Sequence, residues 1–190
     1  ELYRVTKFGG VVVWIVGDAT IKGSETGTSF KHALYFKEIG FNLHDTMIYY
    51  KNGIHYPSSN RYYQQFEYMF VLSKGKPKTH NIQTQKTVRK NTKANVWLCN
   101  IGYMKSAKDK IAYKHPAICP EELVERHILS WSNEGDIVYD CFMGSGTTAK
   151  MSILNNRNWV GSEISSEYCK IIEERVKKAR EEKRKEKDYY

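Results

Sequence analysis

The order of apolar and polar positions predicts alternating strands and helices along most of the chain. Residues 11–16 (VVVWIV) form a continuous apolar run that Gly17 and Asp18 end. Such a run predicts a strand that is buried on both faces and is therefore central in a sheet. Residues 46–50 and 67–73 predict two more strands, and residues 29–39 carry apolar side chains at helical spacing up to Gly40.

The second half of the chain repeats this alternation with clearer boundaries. Pro120 and two acids predict the start of a helix. Its predicted buried face consists of Leu123, Val124, His127, Ile128 and Trp131. Residues 137–140 predict a strand that ends in Asp140, and a glycine-rich turn leads into a helix near Thr147. Residues 158–163 predict a second strand that ends in Glu163, and residues 168–184 predict the last helix.

The turn after Asp140 is the candidate binding site. Gly144 and Gly146 can adopt positive φ and allow a ligand to approach the backbone. The following helix would direct unpaired N–H groups into the turn. Glu163 follows at a distance that suits a carboxylate binding ribose hydroxyls, roughly 20 residues on. A glycine turn alone is usually only a connection, but this order of acid, glycines and second acid indicates a nucleotide-type site.

These residues do not identify the ligand. Gly144-x-Gly146-x-x-Ala149 also fits the looser dinucleotide fingerprint. A classical dinucleotide fold needs several more strands downstream, and only a short tail follows Glu163. The remaining strands must come from upstream, so we expect a permuted strand order.

Composition favours a polyanionic partner and argues against a membrane-spanning segment. The chain has 190 residues, enough for one domain with a core, and a net charge of +9, which favours a polyanionic partner. No apolar run approaches the ~20 residues that span a bilayer. Its four cysteines are scattered without a Cys-x-x-Cys pair, which predicts a reduced, cytoplasmic protein without a metal site.

The positive charge is concentrated after residue 73. No acidic residue occurs from Tyr68 to Lys108, and apolar periodicity is weak before residue 96. This pattern predicts a mobile basic segment that contacts phosphates, although a solvated loop is the alternative. The candidate DNA-binding residues are Lys74, Lys76, Lys78, Lys86, Arg89, Lys90 and Lys93.

Two blocks of sequence resemble a known family. The block from Asp140 to Thr148 (DCFMGSGTT), with HPAICP at 115–120 upstream and Gly-Ser-Glu163 downstream, resembles the amino-group DNA methyltransferases of the permuted β type. These enzymes methylate adenine N6 or cytosine N4. Residues 3–10 and 66–75 resemble the family's catalytic half, so the resemblance covers nearly the whole chain. It implies an α/β, Rossmann-like, doubly wound and mostly parallel sheet with circularly permuted motifs.

The resemblance also implies a methyl donor, S-adenosylmethionine, and its site. Glu163 would take the ribose hydroxyls, and residues 115–117 would line the methionine end. The implied donor-binding residues are His115, Pro116, Ala117, Asp140, Cys141, Phe142, Gly144, Ser145, Gly146, Thr147, Thr148 and Glu163. Residues 1–73 would form the catalytic half, residues 74–112 the segment that recognises double-stranded DNA, and residues 113–190 the donor-binding half. A role in DNA methylation and restriction-modification follows from the same resemblance.

Two features depart from the family pattern. Cys141 replaces the usual Pro after the motif Asp, which a turn tolerates. The catalytic tetrapeptide, Asp/Ser/Asn-Pro-Pro-aromatic, does not occur, and the chain contains no Pro-Pro. That tetrapeptide orients the target amine and stacks on the flipped base, so the sequence identifies no catalytic residue.

This absence, together with the start of the chain, leads to two expectations. Residues 2–8 predict the end of a helix without an N-cap, so we expect the chain to be the C-terminal part of a longer methyltransferase. Otherwise, another chain in a homo-oligomer or a rearranged neighbouring strand would supply the missing piece. The strand that carries the motif normally lies between those at 11–16 and 137–140, so both would have an unpaired edge. The alternatives are a non-catalytic remnant that binds donor or DNA, and a nicotinamide-dependent enzyme.

Overall fold

The structure is a computed structural model, and it describes residues 1–53, 60–83, 85–87 and 90–188. The chain forms two compact units, Glu1–Cys99 and Asn100–Tyr190. The boundary between them falls inside the predicted recognition segment at 74–112. The division of the chain by role into three parts stays a prediction.

The first unit is built around a four-stranded sheet with the order β1-β5-β4-β8. Strands β1 and β4 both pair with β5 in antiparallel fashion, so they run parallel to each other. Two small antiparallel pairs, β2 with β3 and β6 with β7, lie outside this sheet. The elements of this unit are α1 (Leu2–Val5), β1 (Val11–Val16), β2 (Thr20–Ile21), β3 (Ser24–Glu25), α2 (Thr28–Glu38), β4 (Asn42–Asn52), β5 (Phe66–Ser73), β6 (Gln85–Thr87), β7 (Lys90–Thr92) and β8 (Val96–Asn100).

The strand with both faces buried is β5 rather than β1. Met69, Phe70, Val71 and Leu72 follow one another along β5, and all four are buried. All six residues of β1 are only half-buried. Within the described part of the chain, β1 ends the sheet order and pairs with β5 alone. The prediction that β1 is a central strand is therefore wrong for this sheet, because a continuous apolar run does not specify which neighbours cover it.

Helix α2 buries a different face from the one its sequence suggested. Phe30 and Leu34 are apolar residues at helical spacing in the predicted helix at 29–39, but their side chains are 54% and 67% exposed. The buried side chains of α2 are Ser29, Ala33 and Phe36. Ala33 and Phe36 pack with residues of the sheet in the core of the first unit. Small residues allow the helix to approach the strands closely, and the spacing of the larger ones did not reveal this.

The basic segment contains more regular structure than the predicted loop. Strands β6 and β7 form a hairpin, and β8 joins the edge of the main sheet beside β4. Along β8, Trp97 and Cys99 are buried while their neighbours are exposed. Buried and exposed side chains alternate along β8, as in a strand whose one face packs on the core and whose other face contacts solvent.

The second unit has the strand, turn, helix and strand order that the sequence predicted. Strands β9 and β10 pair in parallel, with Asp140 opposite Gly161, and α4 connects them. Met143, Ala149, Ile172 and Val176 form a core between the turn, α4 and α5. The elements are a 3₁₀ helix (Lys110–Lys114), α3 (Glu121–Trp131), β9 (Ile137–Asp140), α4 (Thr147–Leu154), β10 (Asn158–Gly161) and α5 (Ser166–Asp188).

The predicted apolar face of α3 is largely confirmed. Leu123, His127 and Ile128 are buried, and Val124 and Trp131 are half-buried. Burial, together with the nearby charge of Arg126, lowers the pKa of His127 to about 3. A histidine that stays neutral inside the core is structural, as its position on the apolar face suggested.

Candidate functional site

The turn between β9 and α4 needs glycine at two positions. Gly144 has a φ of 51°, and Gly146, the N-cap of α4, has a φ of 78°. Residues with a Cβ rarely adopt such angles. A Cβ at Gly146 would also lie 3.2 Å from the Cα of Ile172. The turn is thus packed directly against α5, and its shape is fixed from both sides.

Asp140 spans the turn from the end of β9. Its Oδ1 accepts a hydrogen bond from the Phe142 amide at 2.9 Å, and its Oδ2 accepts one from the Thr148 hydroxyl at 2.6 Å. Each carboxylate oxygen keeps a further lone pair. The group can therefore hold the turn and still accept a hydrogen bond from a ligand. The Phe142 side chain beside it is 73% exposed.

Glu163 joins the end of β10 to the same turn. Its Oε2 accepts the amide of Gly144 at 2.7 Å, and its Oε1 accepts the amide of Ser165 at 2.9 Å. The Ser165 amide contributes most to lowering the pKa of Glu163. Burial opposes it, and the Gly144 amide then lowers the pKa further. This carboxylate is therefore ionised at neutral pH and held at the edge of the sheet, where open α/β sheets bind ligands.

His115 lies against the turn from the segment before α3. A Cβ added to Gly144 would lie 3.2 Å from Nε2 of His115. Nδ1 of His115 accepts the amide of Ala117 at 3.1 Å, and its ring centroid lies 4.3 Å from that of Tyr168. Pro116 and Ala117 are exposed. The structure thus brings His115, the turn and Glu163 together.

Ser145 and Thr147, two other predicted donor-binding residues, are buried with their hydroxyls turned inward. Both hydroxyls accept hydrogen bonds from Arg175, at 3.2 and 3.1 Å. Cys141 is half-buried, and burial followed by the charge of Asp140 raises the pKa of its thiol. The roles of these three side chains toward a ligand stay predictions, and a direct contact would come from the backbone of Ser145 and Thr147.

A buried group of four charged side chains is linked to the turn through Arg175, and the sequence interpretation missed it. Arg175 and Lys150 both bind the carboxylates of Asp109 and Glu121. Glu121 was interpreted only as an acid at the start of a helix, and it is 7% exposed. The available signal was the position of Arg175 within the apolar stripe of α5, next to Val176 and four residues after Ile171.

The predicted DNA-binding residues have different environments. Nζ of Lys74 binds the carbonyl of Tyr3 at 2.7 Å and lies 4.4 Å from the centroid of its ring. Lys76, Lys78 and Lys93 are exposed. Lys86 and Lys90 belong to the β6/β7 hairpin, and Arg89 lies outside the described residues. Their grouping on one DNA-binding surface stays a prediction.

The turn and its acids form an open site with acceptor groups. Asp140 ends β9, and Glu163 lies two residues beyond the end of the parallel strand β10. An imidazole and an exposed aromatic ring flank them. This set fits a ligand that offers ribose hydroxyls and positive charge, as a sulfonium nucleoside does. A separate cavity of about 520 Å³ lies among α3, α4 and α5, beside the buried charges rather than at the turn.

Within residues 1–53, 60–83, 85–87 and 90–188, the described ranges, the chain shows neither a metal site nor a membrane-spanning helix. No group of three or more His, Cys, Asp or Glu side chains in them has the geometry of a metal site. No helix in the same ranges has the length and apolar character needed to cross a membrane.

Comparison with known sequences gives matches over most of the chain. Residues 1–174 match a family model described as DNA methylase, of the N6 and N4 methyltransferase type. The orphan methyltransferase M.BamHII of Bacillus amyloliquefaciens is 58% identical, over 93% of this chain and 78% of that protein. The type II methyltransferase M.MjaI of Methanocaldococcus jannaschii is 31% identical, over 93% of this chain and 64% of its own length.

Solved structures share the fold. M1.HpyAVI, in complex with SAM, matches with a TM-score of 0.66 and 25% identity, over 90% of this chain and 76% of the other. The cytosine-N4-specific PvuII DNA methyltransferase matches with a TM-score of 0.71 and 22% identity, over 89% of this chain and 64% of the other. The second likeness concerns the fold alone. The predicted Rossmann-like methyltransferase fold is confirmed.

Proposed function

This chain belongs to the DNA methylase family of N6 and N4 methyltransferases, and we propose that it acts in S-adenosylmethionine-dependent methylation of DNA. The methyl acceptor is the exocyclic amine of a base, adenine N6 or cytosine N4. The observation that carries the proposal is the Glu163 carboxylate, which accepts the Gly144 amide at 2.7 Å. This contact places an anion beside a glycine turn at the carboxyl ends of two parallel strands.

The residues at this edge perform three tasks toward the donor. Glu163 presents acceptor oxygens to the ribose hydroxyls while its hydrogen bonds to Gly144 and Ser165 keep it in place. His115 and the following Pro116 and Ala117 line the methionine end. Asp140 orients the turn through Phe142 and Thr148. When bound, the donor supplies a methyl group on a positively charged sulfur, and the negative charge of Glu163 favours binding of such a cation.

Double-stranded DNA is the proposed partner of the basic segment. The exposed Lys76, Lys78 and Lys93 supply positive charge without a nearby acid in the sequence. Contacts to phosphates position a protein on DNA but do not read its sequence. Methylation of an exocyclic amine then needs the target base to leave the stack. Whether the target base is adenine or cytosine is decided by the nucleoside analysis described next.

Two measurements test the proposal. Isothermal titration calorimetry compares S-adenosylmethionine with NAD⁺ as ligands of the purified 190-residue chain. We expect saturable binding of the sulfonium donor and none of the dinucleotide. Transfer of a radiolabelled methyl group to double-stranded DNA, followed by nucleoside analysis, identifies N6-methyladenine or N4-methylcytosine. Tight NAD⁺ binding without donor binding would overturn the proposal.

A second candidate function is binding without transfer. The specific observation is the absence of any Pro-Pro dipeptide in these 190 residues, and hence of the tetrapeptide that orients the amine. Under this alternative the chain binds the donor or DNA and the label does not appear in DNA. Donor binding with no transfer, under conditions where an active methyltransferase of the same family transfers label, supports the alternative.

A further inference from the structure

Arg175 is fully buried yet lies directly behind the glycine turn. Its side chain has 0% exposure. One end of the guanidinium, Nη1, donates to the carbonyl oxygen of Ser145 at 2.8 Å and to the hydroxyls of Ser145 and Thr147. A single side chain of α5 thus holds the backbone and two side chains of the turn.

The rest of the guanidinium is fixed by acids from two other segments. Nη2 donates to Oε1 of Glu121 at 2.7 Å, and Nε lies 3.1 Å from Oδ1 of Asp109. Burial disfavours ionisation of Asp109, but the hydrogen bond from Lys150 and the charge of Arg175 outweigh it and lower the pKa of Asp109. The planar group has five N–H donors in fixed directions, so these acids determine where Nη1 points.

Lys150 provides an internal comparison. Its Nζ binds the same two carboxylates, Asp109 and Glu121, at 2.7 Å each. No hydrogen bond from its ammonium group to the turn is found in the described structure, where Arg175 makes three. The two cations therefore share their role in the buried charge group, and they differ in contact with the turn.

We propose that Arg175 is a positioning residue for the methyl donor. Its bond to the Ser145 carbonyl fixes the peptide plane between Ser145 and Gly146, whose N–H donates to Met143 at 2.8 Å. Fixing this plane keeps Gly144 at the place where Glu163 accepts its amide. A buried ion-pair group contributes little net stability compared with apolar residues of similar volume, and its retention here serves the geometry of the turn. The inference rests on the proposed function, because the ligand it positions is the donor.

The test compares Arg175→Lys with Lys150→Met. The lysine at 175 keeps the charge facing Asp109 and Glu121, but a single ammonium cannot reproduce the fork that also reaches Ser145. We expect the dissociation constant for S-adenosylmethionine, measured by calorimetry well below both melting temperatures, to rise at least tenfold in Arg175→Lys, about 1.4 kcal/mol. In Lys150→Met we expect it to stay within about twofold of wild type, or ~0.4 kcal/mol, although the melting temperature falls.

Amide hydrogen exchange provides a readout that does not depend on the ligand. We expect faster exchange at Gly146 in Arg175→Lys and no change there in Lys150→Met. If Arg175→Lys does not fold cooperatively, Thr147→Val replaces it, with Ser152→Ala as control. Thr147→Val removes one acceptor of Arg175, whereas Ser152 is a buried serine of the same helix whose hydroxyl has no hydrogen-bond partner among the described residues.

The outcomes separate the two proposals. Donor affinity that is unchanged in Arg175→Lys, or lowered equally in both variants, overturns the positioning role. Absence of donor binding in the wild-type chain instead overturns the proposed function. In that case the exchange rates at Gly146 alone decide whether Arg175 positions the turn.

Discussion

The carboxylate of Glu163 and the amide of Gly144 are 19 residues apart in sequence and joined by a 2.7 Å hydrogen bond. The bond connects the ends of β9 and β10 on the side where the ligand is proposed to bind. The second oxygen of Glu163 accepts the Ser165 amide. This single side chain therefore has a double task, holding the turn and facing the ribose.

Glu163→Gln tests this double task. Glutamine has one acceptor oxygen for two amides, so one N–H would face the NH₂ group of the new side chain. We expect donor affinity to fall by about 1–3 kcal/mol, or roughly 5- to 150-fold, as measured by calorimetry. Glu167→Gln, an exposed acid in the first turn of α5, is the matched control and should bind like wild type. Equal affinity of both variants would show that Glu163 does not contact the donor.

Gly146→Ala tests the packing of the turn on α5. Gly146 and Gly135 both have positive φ, 78° and 82°. A Cβ at Gly146 would approach Ile172 Cγ1 to 3.0 Å, while a Cβ at Gly135 meets nothing within 4 Å. The left-handed backbone should lower the free energy of unfolding of both alanine variants by about 1–2 kcal/mol. Overpacking should lower that of Gly146→Ala by about 1–3 kcal/mol more.

Chemical denaturation followed by tryptophan fluorescence measures both losses. The denaturation curve of Gly135→Ala gives the loss of unfolding free energy that is caused by the backbone conformation alone. Similar losses in the two variants would contradict the close packing of the turn against α5.

His127 makes stability depend on pH in the acidic range. Burial lowers its pKa to about 3 in the folded protein, against 6.5 ordinarily. As the pH falls below about 6, His127 is protonated in the unfolded chain but stays neutral in the folded chain. Stability therefore decreases toward acid pH. This contribution is fully present above the unfolded pKa and falls by up to ~1.4 kcal/mol per pH unit between about pH 6 and 4.

His127→Leu should remove this part of the dependence. We expect the difference in unfolding free energy between variant and wild type to change with pH over that range and to be constant above pH ~7. Replacement of the exposed His44 by Gln is the control. A pH dependence that is the same in His127→Leu and wild type would show that His127 is protonated in the folded state.

Lys76 and Lys93 test the proposed contact with DNA. Both are exposed in the basic segment. If both contact phosphates, a Lys76→Met and Lys93→Met double variant should reduce the slope of log K against log salt by about 0.9 per contact. The measurement is fluorescence anisotropy with a labelled duplex at several salt concentrations. A double variant at the exposed Lys170 and Lys177 of α5 has the same change in charge and should leave the slope unchanged.

Local sequence patterns predicted the strand, turn and helix of the candidate site because these elements are contiguous in sequence. The acid at the end of β9, the glycine turn and the start of α4 occupy residues 137–149, and the structure has the predicted strand and helix there. That these residues bind the donor stays a prediction. The prediction was wrong where burial depends on distant neighbours. The apolar run of β1 was expected to be central, but β5 has that place in the described sheet.

The tertiary structure alone revealed how the turn is supported. Arg175, Asp109 and Glu121 come from three separate segments and meet only after folding. In sequence, Asp109 precedes a short helix and Glu121 starts one, and only the position of Arg175 in the apolar stripe of α5 indicates burial. Their burial becomes acceptable because the charges compensate one another inside the fold.

The sequence by itself determined the family, the strand, turn and helix block, and the glycines that this block requires. These features depend on residue types at fixed short spacings, and backbone sterics act over the same short range. Only the tertiary structure decided that the Ser145 and Thr147 hydroxyls turn inward to Arg175 and that Glu163 holds the Gly144 amide. The direction of a side chain is set by partners that chain folding brings from many residues away.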